Sequence, residues 1–113
     1  MVKIKRIYDQ PEKTDGTRVL VDRLWPRGVK KQDAGFDLWL KDIAPSDDLR
    51  KWFSHDPSKW QEFRKRYKNE LKDKPDLIDD LKIIARQRTV TLLCAAKDAV
   101  RNNAVVLKEM IEE

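Results

Sequence analysis

Two stretches decide the fold: Val19-Leu20-Val21-Asp22 and Val90-Thr91-Leu92-Leu93-Cys94-Ala95-Ala96. Each is a continuous apolar run rather than an alternating one, the pattern of a strand covered on both faces of a parallel sheet. The interval between them reads largely as helix, so the two strands are expected to lie parallel and to be joined by a right-handed crossover. Upstream, Val2-Lys3-Ile4-Lys5-Arg6-Ile7 alternates and reads as a strand with one wet side, near a sheet edge. Leu24 to Gly35, with Pro26 and Gly28, reads as loop, and a short segment follows around Phe36 to Ile43.

The helices announce their own starts. Ser46 is a good N-cap, with Asp47 and Asp48 in a first turn where acidic side chains favour the helix dipole. Asp56-Pro57 is a second start, and Trp60, Phe63, Tyr67 and Leu71 then recur at helical spacing to about Lys72. Pro75 opens a third helix, with Leu77, Ile78, Leu81 and Ile84 inside, and a fourth runs from about Asn102. Trp39, Trp52, Phe53, Trp60, Phe63 and Tyr67 are expected in one aromatic cluster holding the middle helices to the sheet. The prediction is an α/β fold, a small mainly parallel sheet with helices on both faces, forming a single layered domain over residues 1–113.

Composition narrows the function. The 113 residues are 40% charged with a formal net charge of +5, yet four Trp, two Tyr and three Phe suffice for a core. No apolar run could span a membrane, and a soluble, cytoplasmic protein is expected. One Cys with one His cannot build a zinc site, and three scattered glycines exclude P-loop and dinucleotide-binding motifs, so no metal or cofactor is expected. Charge is uneven: residues 1–31 hold nine Lys/Arg against four Asp/Glu, whereas 32–56 hold three against six. Such asymmetry suits an anionic partner, or a solvated, salt-bridged surface.

The stretch Arg18-Val19-Leu20-Val21-Asp22-Arg23-Leu24-Trp25-Pro26-Arg27-Gly28 resembles the DUF-488 family, in its short, YeaO-like branch. The likeness continues through Asp37-Leu38-Trp39-Leu40-Lys41-Asp42-Ile43-Ala44-Pro45-Ser46, His55-Asp56-Pro57 and Asn102-Asn103-Ala104-Val105-Val106-Leu107. It implies no reaction, because the family is named for a domain without an established function. Cys94 and Arg101 depart from the Tyr and His that the branch carries at those positions.

In an open parallel sheet, ligands bind beyond the carboxyl ends of the strands. Arg23, Trp25, Arg27 and Gly28 follow the first apolar strand, and Lys97, Asp98, Arg101, Asn102 and Asn103 follow the second. If the strands are neighbours, these groups converge on a pocket for a small anionic or phosphorylated ligand. Arg23 and Arg27 would clamp the anion, Lys97 would add a point charge, and the helix start at Asn102 and Asn103 would offer N–H groups. Trp25 would form a wall, and Asp22 or Asp98 would orient the cations or act as a base. The structural alternative pairs Arg23 with Asp98 and puts Trp25 in the core. Cys94 and Arg101 are one residue too far apart for a phosphatase loop, and Cys94 reads as a buried hydrophobe. His55 reads as structural or surface. A nucleic-acid alternative rests on Arg64, Lys68 and Lys72, which form a basic ridge on the helix of residues 57–72.

Overall fold

The computed structural model describes residues 1–113. Four strands, β1 (Val2–Arg6), β2 (Thr17–Leu20), β3 (Leu38–Trp39) and β4 (Val90–Cys94), form one sheet in the order β1-β4-β2-β3, with every pair parallel. The helices are α1 (Asp47–Phe53), α2 (Trp60–Leu71), α3 (Pro75–Gln87) and α4 (Asn103–Glu112). The fold class is therefore the expected small α/β architecture. No helix is long and apolar enough to cross a membrane.

β4 sits at the centre because it can be buried everywhere. All five of its residues are buried, and it pairs from Val2↔Val90 to Arg6↔Cys94 on one side and from Thr17↔Val90 to Leu20↔Leu93 on the other. β1 takes the edge, as its alternation requires. Val2 and Ile4 face the main core, while Lys3 and Lys5 fold over the opposite side.

The two faces are covered differently. Val19, Val21, Val90, Leu92 and Cys94 share one cluster with Phe53 of α1, Phe63 and Tyr67 of α2, Leu81 of α3 and Leu107 of α4. The opposite face, with Ile7, Leu20 and Leu93, is covered by Phe36, Trp39 and Ala95. The four α-helices thus contribute to one side, and the aromatic segment between β2 and β3 serves as the second layer. That segment carries Pro26 and Gly28, which disfavour an α-helix, and it holds only a 3-10 turn at Lys31–Asp33.

The aromatic cluster splits accordingly. Phe53, Trp60, Phe63 and Tyr67 form a continuous chain, with Phe53 and Phe63 stacked at 4.3 Å between centroids. Trp52 flanks it, under the guanidinium of Arg66 at 4.2 Å. Trp39 lies on the other face, edge-on to Trp25. Its position in a strand, with a side chain alternating opposite to Leu38, separates it from the helical aromatics.

On the same side of the sheet lies a buried ionic cluster. Asp15 accepts hydrogen bonds from Lys5 Nζ, Arg18 Nη1 and the Glu12 amide, and its carbonyl accepts from Thr91 Oγ1 at 2.7 Å. Burial alone would push the carboxyl up, but the Glu12 N–H and the two cations bring it down to about 2.

Candidate functional site

β2 and β4 are neighbours, so the residues following them meet. Asp22 is the link. Its Oδ2 accepts from the Ala95 amide at 2.8 Å and its Oδ1 from Asn103 Nδ2 at 3.1 Å, and the same Asn103 amide donates to Val21 O at 3.0 Å. Burial pushes the Asp22 carboxyl above its usual range, against the opposing pull of these N–H donors and of the His55 charge. Asn102 caps α4, accepting from the Val105 amide at 3.0 Å and donating to Asp98 O at 2.8 Å.

Arg23 turns toward the helical face. Its Nε lies 4.0 Å from Asp47 Oδ1, too far for a hydrogen bond, and it is the one buried side-chain nitrogen or oxygen without a partner. The Nε itself is shut off from solvent, while the side chain as a whole remains 30% exposed. The alternative pairing of Arg23 with Asp98 does not form. Asp98 instead accepts from the Val100 and Arg101 amides at 2.9 and 3.0 Å, with Arg101 Nη1 beside it at 3.5 Å. These donors hold its carboxyl below the usual range, which suits a loop organiser and not a base. Arg101 is spent on that turn, and Lys97 is exposed without an ion pair.

Arg27 and Gly28 do not join Arg23. The Arg27 carbonyl accepts from Tyr8 Oη at 2.9 Å, and Gly28 borders a hollow with Ile7, Tyr8 and Arg18 on the aromatic face. The backbone carrying Arg27 thus runs on the aromatic face while Arg23 turns to the helical one, with Pro26 and a left-handed Gly28 (φ 79°) in the intervening loop. Trp25 packs edge-on against Phe36 and Trp39, and donates from Nε1 to Val29 O at 2.7 Å. It walls the aromatic layer, away from Arg23.

His55 lies exposed just beyond the end of α1. Ser54 and His55 both adopt left-handed backbone, at φ 48° and 57°, a conformation that costs a non-glycine residue about 1–2 kcal/mol. Ser54 ends α1 in this way, its amide donating to Arg50 O at 3.0 Å, and the second left-handed residue brings the imidazole within electrostatic reach of Asp22. Strained residues of this kind gather at functional sites. The pair Ser-His carries no glycine or asparagine that would betray the conformation in sequence. Asp56 meanwhile caps the following turn, accepting from the Ser58 amide at 2.9 Å as its place before Pro57 suggests.

Other candidates are absorbed by the fold. The Cys94 thiol is buried within β4, and burial, with the Asp22 charge nearby, pushes it up to about 12, so no thiolate is available at neutral pH. In the basic ridge of α2, Arg64 and Lys68 both reach Glu109 Oε2 of α4, the latter at 2.9 Å. Only Lys72 is left exposed to solvent without an ion pair. Nowhere do three His, Cys, Asp or Glu side chains gather as metal ligands would.

A family model described as "Inactive DUF488-N3 subclade" matches residues 1–113. The chain is 43% identical over 110 residues to the uncharacterized protein YeaO of Escherichia coli (strain K12), covering 97% of this chain and 96% of that one. It is 40% identical over 110 residues to the uncharacterized protein Rv3073c of Mycobacterium tuberculosis (strain ATCC 25618 / H37Rv), covering 97% and 92%. No solved structure gives a significant match.

Proposed function

We propose that this chain, which belongs to the DUF488 family through its inactive DUF488-N3 subclade, is a binding module without chemistry of its own that holds a small phosphate or carboxylate at the strand ends beside Arg23. The observation that carries this reading is the buried Arg23 Nε without an acceptor. Buried polar groups are nearly always paired, so this N–H is a donor open to an acceptor that a ligand could bring. Lys97 supplies an unpaired cation beyond β4. Asn102 satisfies the Val105 amide and leaves the earlier N–H groups of α4 for an anion. Asp22 takes no proton from a ligand in this reading. Both its oxygens are engaged by Ala95 and Asn103, and its role is to fix the start of α4 against the end of β2.

The test is a titration of the protein with inorganic phosphate and with acetate, following the arginine Nε–H signals by NMR. The Arg23 signal, assigned by its loss in Arg23→Lys, should shift with either anion, and Arg23→Gln should remove the accompanying thermal stabilisation. An Arg23 Nε–H that stays in place at millimolar anion would overturn the reading.

A further inference from the structure

We infer that the aromatic face of the sheet, distinct from the Arg23 site, is a docking surface for single-stranded nucleic acid. The occupant is argued from charge and from the way two aromatic rings are presented. Tyr8 is 45% exposed, yet it is not free to move: Arg6 lies 4.9 Å from its ring centroid, and its hydroxyl donates to Arg27 O at 2.9 Å. Trp25 is 38% exposed and is equally fixed, by its Nε1 bond to Val29 O and by edge contacts with Phe36 and Trp39. Two exposed rings whose orientation is already settled lose little entropy on stacking against a base.

Around them, unpaired cations outnumber unpaired carboxylates. Arg27, Lys30 and Lys31 stand on the same loop, are open to solvent and form no ion pair. The adjoining hollow, about 330 Å³ in volume, is bordered by Tyr8, Gly28, Val29 and Lys30. Of its two carboxylates, Asp9 is engaged by the Arg6 amide at 2.9 Å, and Asp33 remains at the rim. Gly28 has no atom within 4 Å of where a side chain would sit, so a sugar–phosphate chain can lie against its backbone. Aromatic plates beside a basic track are the arrangement that holds unpaired bases without reading their sequence. A duplex, whose base faces are covered, gains only the cations.

Fluorescence anisotropy at low salt, with labelled oligo-dT and oligo-rU as probes, tests this. Binding of both probes is expected, with Tyr8→Ala weakening it by about fivefold or more and Tyr8→Phe retaining it. Arg27→Glu with Lys30→Glu should abolish it, and circular dichroism should show these exposed variants folded. Preference for oligo-rU over oligo-dT would identify RNA as the natural occupant, and the reverse would identify DNA. The inference fails if neither probe binds, if duplex binds as tightly as single strands, or if Tyr8→Ala has no effect. It also fails if Lys72→Glu on α2 weakens binding as much as the loop variants. Arg23→Gln is expected to leave this binding intact, so the outcome is independent of the anion site.

Discussion

Asn103 Nδ2 donates at once to Asp22 Oδ1 at 3.1 Å and to Val21 O at 3.0 Å, tying the first turn of α4 to the end of β2. The substitution Asn103→Ala should cost about 1–3 kcal/mol, because it leaves two partly buried acceptors short of a donor. Alanine is the better helix former, so intrinsic propensity acts in the opposite direction and cannot produce that loss. Chemical denaturation measures the cost. The Asp22 carboxyl should also titrate at higher pH in the variant, since one of the N–H groups holding it down is gone.

Asp15 governs the acid limit of the fold. Its folded value, about 2, lies below the ordinary aspartate range, so its contribution to stability is complete above about pH 4 and is lost as pH falls through 2. Asp15→Asn should cost about 2–3 kcal/mol at neutral pH, because Lys5 and Arg18 are left without their shared anion. Urea midpoints measured between pH 2 and 7 should converge for the two proteins at the acid end. A constant separation would show that the charge of Asp15 is not what the cluster uses.

Gly16 has no tolerated substitute. At φ 64° a Cβ would stand 2.1 Å from the Thr89 carbonyl oxygen, the acceptor for the Thr17 amide at the start of β2. Gly16→Ala should therefore cost about 3 kcal/mol or more, the sum of backbone strain and a displaced strand. Gly28→Ala is the control: φ is 79° but the surroundings are open, so only the strain of about 1–2 kcal/mol applies. Thermal melts of the two variants should differ in that order.

The sequence made the centre of the sheet legible and its margins obscure. Val19–Val21 and Val90–Cys94 declare themselves because a strand covered on both faces needs unbroken apolar side chains. Leu38–Trp39 has no such signature. Two residues carry no period, and the strand exists only because Asp37 and Leu40 donate amides to Arg18 and Leu20 of β2. At the site, Asp22 and Asn103 were visible as strand-end residues, and Asp56 as a cap. Arg27 was not placeable, since nothing local shows which way a loop containing Pro26 and Gly28 turns. The backbone at His55 was not legible, because nothing in Ser54-His55 marks two successive left-handed residues.

That left-handed pair yields a prediction of its own. His55→Gly should stabilise the protein by about 0.5–1 kcal/mol, the relieved strain exceeding the added freedom of the unfolded chain. Removing the imidazole should also raise the Asp22 titration, because the His55 charge favours the ionised carboxylate. Carboxyl carbon shifts followed through the acidic range read the second effect, while a denaturation midpoint reads the first. A His55→Gly protein less stable than the parent would mean that the ring makes contacts worth more than its backbone costs.

The position of β4 in the sheet has a temporal meaning. β1 and β2 never touch as a pair; each is joined to the other only through Val90–Cys94. A chain made from its amino end therefore leaves β1, with Lys3 and Lys5, without a partner, and β2 paired only with the two residues of β3, until residue 94 is available. The lysines on β1 act as guards during that delay, discouraging the open strands of neighbouring nascent chains from pairing. β4 has to be placed between β1 and β2, and long-range parallel pairing of this kind is slow to form.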